Sequence, residues 1–164
     1  MPAAVRIYEN GGPEVLRLEQ VDPGKPATGE VQIRHTAIGV NYIDVYDRTG
    51  LYPVKLPSGL GREAAGVVTA LGRGVRGLRV GERVAYVFPS PGAYCELRNV
   101  PAERVVRVPR GISDEQAAAL MIDPDAGVYP MVGPGQSYDE MITGEFIPSR
   151  HKVDIKAPGP SEMF

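Results

Sequence analysis

The sequence predicts a mainly β fold with a Greek-key or barrel-like path, a few short helices and an irregular C-terminal stretch. Three observations carry this. Short β-type runs follow one another closely from residue 3 to residue 109. Glycine and proline number 20 and 16 in 164 residues, as tight turns between short strands require. Helix signals between these runs are too few for a βαβ repeat.

The elements justify themselves in order. AAVRIY (3–8) is a first strand, closed by the turn Asn10-Gly11-Gly12-Pro13. VLRLEQV (15–21) is a second, ending at Pro23-Gly24. EVQIRHTAIGV (30–40) alternates, with Val31, Ile33 and Ala37 predicted on one face and Gln32, Arg34 and Thr36 on the other. AAGVVTALG (64–72), ERVAYVF (82–88), GAYCELRNV (92–100) and RVVRVP (104–109) complete the set. Residues 41–48 suit two helical turns, with Asn41 as cap and Gly50 as stop. Ser113 and Gln116 have capping-box spacing ahead of Ala117-Ala-Ala-Leu-Met121.

After Met121 the pattern changes. Residues 122–164 carry prolines at 124, 130, 134, 148, 158 and 160 and sustain no apolar period. They read as a Pro/Gly-rich tail, disordered towards its end. Two units are therefore expected, a β domain over 1–121 and a tail over 122–164.

Composition excludes several classes. The formal net charge is −2, which gives no electrostatic reason to expect nucleic acid. No stretch approaches the ~20 apolar residues of a membrane span. MPAAVRIYENGG lacks the basic start and apolar run of a secretory signal. Cys95 is the single cysteine, so no internal disulfide forms, and a reducing cytoplasmic setting is expected. His35, in a strand, reads as a half-buried or surface residue, and His151 as part of a solvated basic turn.

Gly72-Arg-Gly74-Val-Arg-Gly77 spells G-x-G-x-x-G, the pattern of a dinucleotide-binding turn. That turn works because a helix N-terminus follows it and offers unpaired N–H groups to the pyrophosphate. Here LRVGERVAYV follows, which alternates like a strand. The glycines are predicted to connect two strands and to hold no nucleotide.

Four segments are familiar together: YENGGPEVLRLEQV (8–21), GEVQIRHTAIGVNYIDVYDRTGLYP (29–53), LPSGLGREAAGVVTALGRGVRGLRVGERVAY (56–86) and GAYCELRNVPAERVVRVPRGISDEQAAALM (92–121). In order and spacing they resemble the N-terminal half of the NADPH:quinone oxidoreductases. These form the zeta-crystallin-like branch of the medium-chain dehydrogenase/reductase superfamily. The resemblance implies a GroES-like, partly open β-barrel over 1–121. It places the nucleotide fingerprint in a further Rossmann-type domain, and no strand–GxGxxG–helix occurs after Met121. The chain by itself is therefore expected to be inactive. The alternatives are a non-catalytic binding or scaffold protein, or one subunit of a split reductase. The domain face left bare is expected to favour self-association or a partner chain.

Zinc-dependent relatives carry a Cys and a His where this chain has Asn41 and Arg62, and the four-cysteine lobe is missing. No zinc is expected. A zinc-free reductase needs an aromatic-lined cleft and a few polar anchors. Asn41 to Tyr46, with Tyr52 nearby, offers both. From the residues alone, Asn41 is a helix cap and the tyrosines are packing residues. The resemblance instead implies that Asn41 and Tyr46 face the nicotinamide half of NADPH, with Tyr42, Ile43 and Asp44 as the adjacent wall. It implies that Tyr52 lines the side of a quinone or similar planar acceptor, that Tyr46 and Tyr52 are the catalytic candidates, and that Glu63 anchors the cleft floor.

Overall fold

The computed structural model describes residues 1–88 and 90–121, so the expected tail over 122–164 lies outside the described residues. The described chain runs β1 (Ala3–Ile7), β2 (Arg17–Gln20), β3 (Glu30–Ile38), α1 (Tyr42–Thr49), β4 (Ser58–Gly59), β5 (Glu63–Leu71), β6 (Arg83–Val87), β7 (Leu97–Pro101), β8 (Val105–Arg107) and α2 (Asp114–Ala119). These make a three-stranded sheet, β2-β1-β4, and a five-stranded sheet, β7-β3-β5-β6-β8, with every pairing antiparallel. The two sheets meet along residues 94–96. Val5 N–H donates to the Tyr94 carbonyl at 2.8 Å on one side, and His35 N–H donates to the Glu96 carbonyl at 3.0 Å on the other. The sheets are not closed into a barrel.

Two apolar clusters lie on opposite faces of the larger sheet. Val31, Ile33, Ala64, Val68, Val84, Tyr86 and Val100 form one. Ala65, Ala85, Val87 and Val106 form the other, beneath Ala117, Ala118 and Met121 at α2. Small residues on both partners let α2 sit close to the sheet. Its start is built as the spacing predicts: Gln116 N–H donates to Ser113 Oγ at 3.2 Å and Ser113 N–H to Gln116 Oε1 at 3.0 Å. Thr36 Oγ1 and Arg83 Nη2 both donate to the Asp114 carboxylate, each at 2.6 Å, and tie this helix to β3 and β6.

The structure corrects the alternation predicted for β3. Val31 and Ile33 share a face, but Ala37 packs with the opposite cluster. The reason is a β-bulge: His35 pairs with Gly66 and Ala37 with Ala65, so Thr36 is an extra residue. One extra residue moves everything after it to the other face. Two other runs are shorter than the pattern suggests. Pro13–Val15 turns as a 3-10 helix before β2, and 92–96 contributes a single bridge, Ala4 to Cys95, before β7. Cys95 is accordingly not a strand residue. Its half-buried thiol donates to the Gly92 carbonyl at 3.2 Å, and burial pushes its pKa up.

The glycine-rich stretch 72–82 joins the antiparallel neighbours β5 and β6, as read from the sequence. No helix follows it. No helix among the described residues is long and apolar enough to cross a membrane.

His35 is held as one neutral tautomer. Cys95 O lies 2.7 Å from Nδ1, so Nδ1 carries the proton; Tyr86 Oη lies 3.1 Å from Nε2 and donates to it. Arg98 Nη1 in turn donates to the Tyr86 hydroxyl at 3.4 Å. Burial lowers the His35 pKa from 6.5 to about 4. The unfolded chain therefore binds the extra proton first, and stability present above pH 6.5 is lost as pH falls towards 4. The loss is at most about 3 kcal/mol. In urea unfolding at pH 4.5 and pH 7, His35→Gln is expected to show a smaller pH dependence than the parent. An unchanged slope would refute this account of the tautomer.

Candidate functional site

The site is built around α1 and the strand beneath it. The helix begins where predicted. Asn41 N–H donates to Asp44 Oδ2 at 2.9 Å, a capping box with aspartate at the third position. Gly50 ends it in the left-handed region, φ 82°, where the Asn10 side chain leaves no room for a Cβ.

The helix is inverted in polarity. Asp44 and Asp47, three apart and so on one face, are its buried residues. Tyr42, at 75% exposure, is turned to solvent. Asp47 is fully buried against Arg62, which precedes β5. Nη2 lies 2.7 Å from Oδ1 and Nε 3.0 Å from Oδ2, a two-pronged, charge-assisted pair. Asp44 accepts from the Tyr94 hydroxyl at 2.8 Å through the same oxygen that caps the helix. Its Oδ1 is buried without a hydrogen-bond partner among the described residues. Burial raises the Asp44 pKa, outweighing the pull of the Asn41 N–H and the Tyr94 hydroxyl. Burial, with the Asp44 carboxylate beside it, raises the Tyr94 phenol as well.

Glu63 opens β5 at 2% exposure and accepts from Asn41 Nδ2 at 2.7 Å. It packs so tightly under Gly39 that a Cβ there would overlap its carboxylate. A carboxylate only accepts, so Glu63 fixes which end of the Asn41 amide turns inward.

On the outer face the rings of Tyr42 and Tyr46 meet edge to face at 5.5 Å, and those of Tyr46 and Tyr52 at 5.4 Å. Tyr52 N–H donates to the Tyr46 carbonyl at 3.2 Å, which folds the loop after α1 back over the helix. The structure thus brings Asn41, Tyr42, Tyr46 and Tyr52 together at the surface. Asp44 and Glu63 lie below them, and Ile43 is half-buried. Asp47 and Tyr94 escaped the sequence reading, and Arg62 was noted only as standing where zinc-dependent relatives carry a His. The i, i+3 spacing of Asp44 and Asp47 was the available signal, but nothing local said which face turns inward.

The residues fit part of a nicotinamide cofactor. An amide beside exposed aromatic faces suits a carboxamide on a planar ring. The 72–82 turn, with no helix after it, does not suit the pyrophosphate. For metals, the described residues hold no group of three or more His, Cys, Asp or Glu able to bind an ion. Where zinc-dependent relatives place a His, the Arg62 guanidinium is engaged with Asp47 and has no lone pair to offer.

Comparison with known proteins agrees with this architecture. The model of the alcohol dehydrogenase GroES-like domain matches residues 27–110. The chain belongs to this family. It is 48% identical over 123 residues to a quinone oxidoreductase of Salmonella typhimurium, covering 74% of this chain and 38% of that protein. The chain thus spans about 38% of the length of such relatives. The crystal structure of Escherichia coli quinone oxidoreductase complexed with NADPH superposes with a TM-score of 0.69 at 45% identity, covering 71% of this chain and 36% of that one. A Pseudomonas syringae quinone oxidoreductase gives a TM-score of 0.71 at 47% identity, covering 74% and 38%.

Two stability outcomes follow from the buried layer. Asp47→Ala removes a carboxylate from a buried guanidinium and is expected to cost roughly 3 to 5 kcal/mol in denaturant unfolding. Tyr94→Phe removes one donor from a buried carboxylate and should cost about 1 to 3 kcal/mol. A Tyr94→Phe protein as stable as the parent would show that this hydroxyl does not support Asp44.

Proposed function

We propose that this chain is the quinone-side domain of a zinc-independent NADPH:quinone oxidoreductase. The observation that carries the reading is the ladder of exposed Tyr42, half-buried Tyr46 and exposed Tyr52 beside an Asn41 amide held from below by Glu63. NADPH, when bound, supplies a hydride; a quinone that accepts it takes up a proton too and leaves as the hydroquinone.

The chain's own part is binding and orientation. Asn41 hydrogen-bonds the nicotinamide end, and Tyr42 and Ile43 form the neighbouring wall. Tyr46 and Tyr52 offer ring faces to a flat acceptor and hold it against the cofactor. Asp44 and Glu63 act through Asn41: one fixes its backbone at the helix cap, the other its amide. The buried pair beneath keeps this surface rigid. The family resemblance supports the pyrophosphate being held by a nucleotide domain of the kind found in full-length relatives.

The test joins residues 1–121 to the remainder of the E. coli quinone oxidoreductase. The chimera is expected to oxidise NADPH with a quinone. Asn41→Ala should raise KM for NADPH about tenfold, the equivalent of one hydrogen bond. Tyr52→Ala should raise KM for the quinone with less effect on NADPH. A folded chimera that binds NADPH but reduces no quinone would overturn the reading.

A further inference from the structure

Tyr94 reaches the candidate site from the seam between the two sheets. Its N–H donates to the Leu60 carbonyl and its carbonyl accepts from Val5 N–H, each at 2.8 Å. Its ring packs against the small cluster of Ile7, Val15 and Leu60. Gly61, at φ 79°, makes room for that ring, since a Cβ there would overlap it. A segment held on both sides thus delivers the hydroxyl. It donates to Asp44 Oδ2 at 2.8 Å, and the same oxygen accepts Asn41 N–H at 2.9 Å.

The other oxygen, Asp44 Oδ1, is buried without a hydrogen-bond partner among the described residues. A proton that enters this carboxyl has no acceptor waiting there, and it removes the charge that strengthens the bond to Asn41. The charged neighbours divide. Asp47, on the same helix, favours that proton, and Arg62, just before β5, opposes it; these two are paired with each other. Glu63 holds the Asn41 amide and lies near the Tyr94 phenol. The Tyr94 hydroxyl favours the ionised carboxyl by a direct hydrogen bond. Burial, with Asp44 beside it, holds the phenol above its ordinary pKa, so it stays a donor.

We propose that Tyr94 is a positioning residue for the nicotinamide end of NADPH, acting through Asp44 on the Asn41 backbone. The inference rests on the proposed site. Tyr94 keeps Asp44 in the form that grips Asn41 N–H, and that bond sets where the Asn41 side chain stands when it meets the carboxamide. The effect is one of orientation. It is read in ligand affinity and in the Asn41 signals, separately from stability.

The test is an NMR titration of the whole chain over pH, alone and with 1-methylnicotinamide, which carries the carboxamide ring and no titrating group. In the parent the Asn41 N–H signal is expected to move in one step as Asp44 takes its proton, and affinity for the probe to fall over the same step. Tyr94→Phe removes a bond to the ionised form, so both steps should lie at higher pH. Midway between the two midpoints the variant should bind the probe about threefold more weakly, as loss of one hydrogen bond to a carboxylate predicts. At higher pH, with the carboxyl ionised in both, the two proteins should match. Asp44→Asn should show neither step.

A Tyr94→Phe protein that is less stable but keeps the parent's Asn41 step overturns the proposal, because a purely structural hydroxyl gives that result. So does a pH step in probe affinity that survives Asp44→Asn, a result that can be read even where Tyr94→Phe fails to fold. If the Asn41 step moves as expected but no signal of Asn41, Tyr42 or Tyr46 responds to the probe at any pH, the functional reading is overturned while Tyr94 remains the residue that sets the Asn41 cap.

Discussion

A buried ion pair between Arg62 and Asp47 governs the part of this molecule that can meet a ligand. Taking both charges out of water costs several kcal/mol each, and the two-pronged geometry offsets that cost where an isolated contact would not. An apolar pair of similar volume could be as stable. It would not fix the helix in rotation and register as a fork on a carboxylate does. With Asp47 pinned, Asp44 falls over Tyr94, Asn41 falls over Glu63, and the opposite face of α1 is turned outward. The tyrosine ladder is thus a consequence of what is buried beneath it.

This arrangement separates two kinds of chemistry by depth. The lower layer is polar, largely buried and internally bonded, and that burial raises the pKa values of Asp44 and Tyr94. The upper layer is aromatic and open. A protein that orients a flat acceptor needs rigid faces, and rigidity is supplied more reliably by a bonded layer below than by an eight-residue helix with few apolar anchors.

The larger sheet shows how one residue can redirect a surface. Thr36 is the extra residue of the bulge in β3, and after it Ala37 turns to the α2 side. Thr36 itself keeps the face that alternation gives it, where it reaches Asp114. The bulge therefore adds Ala37 to the α2 side while β3 runs on towards Asn41. Bulges next to binding sites commonly re-aim side chains in this way.

The sequence by itself determined the β-rich class, most of the strands, both helix starts and the glycine connection at 72–82. Each of these depends on neighbours within a few residues: alternation, a capping box, or a turn that needs positive φ, as at Gly50. It also brought Asn41, Tyr42, Tyr46 and Tyr52 to notice, because they crowd into twelve positions. Tertiary structure decided the rest. Which face of α1 is buried depends on Arg62, fifteen residues beyond Asp47. Tyr94 joins the site from fifty residues beyond Asp44. The face taken by Ala37 depends on a bulge that no period in β3 reveals. Local patterns record the backbone's preferences; a buried charge chooses its partner only when distant segments are folded together.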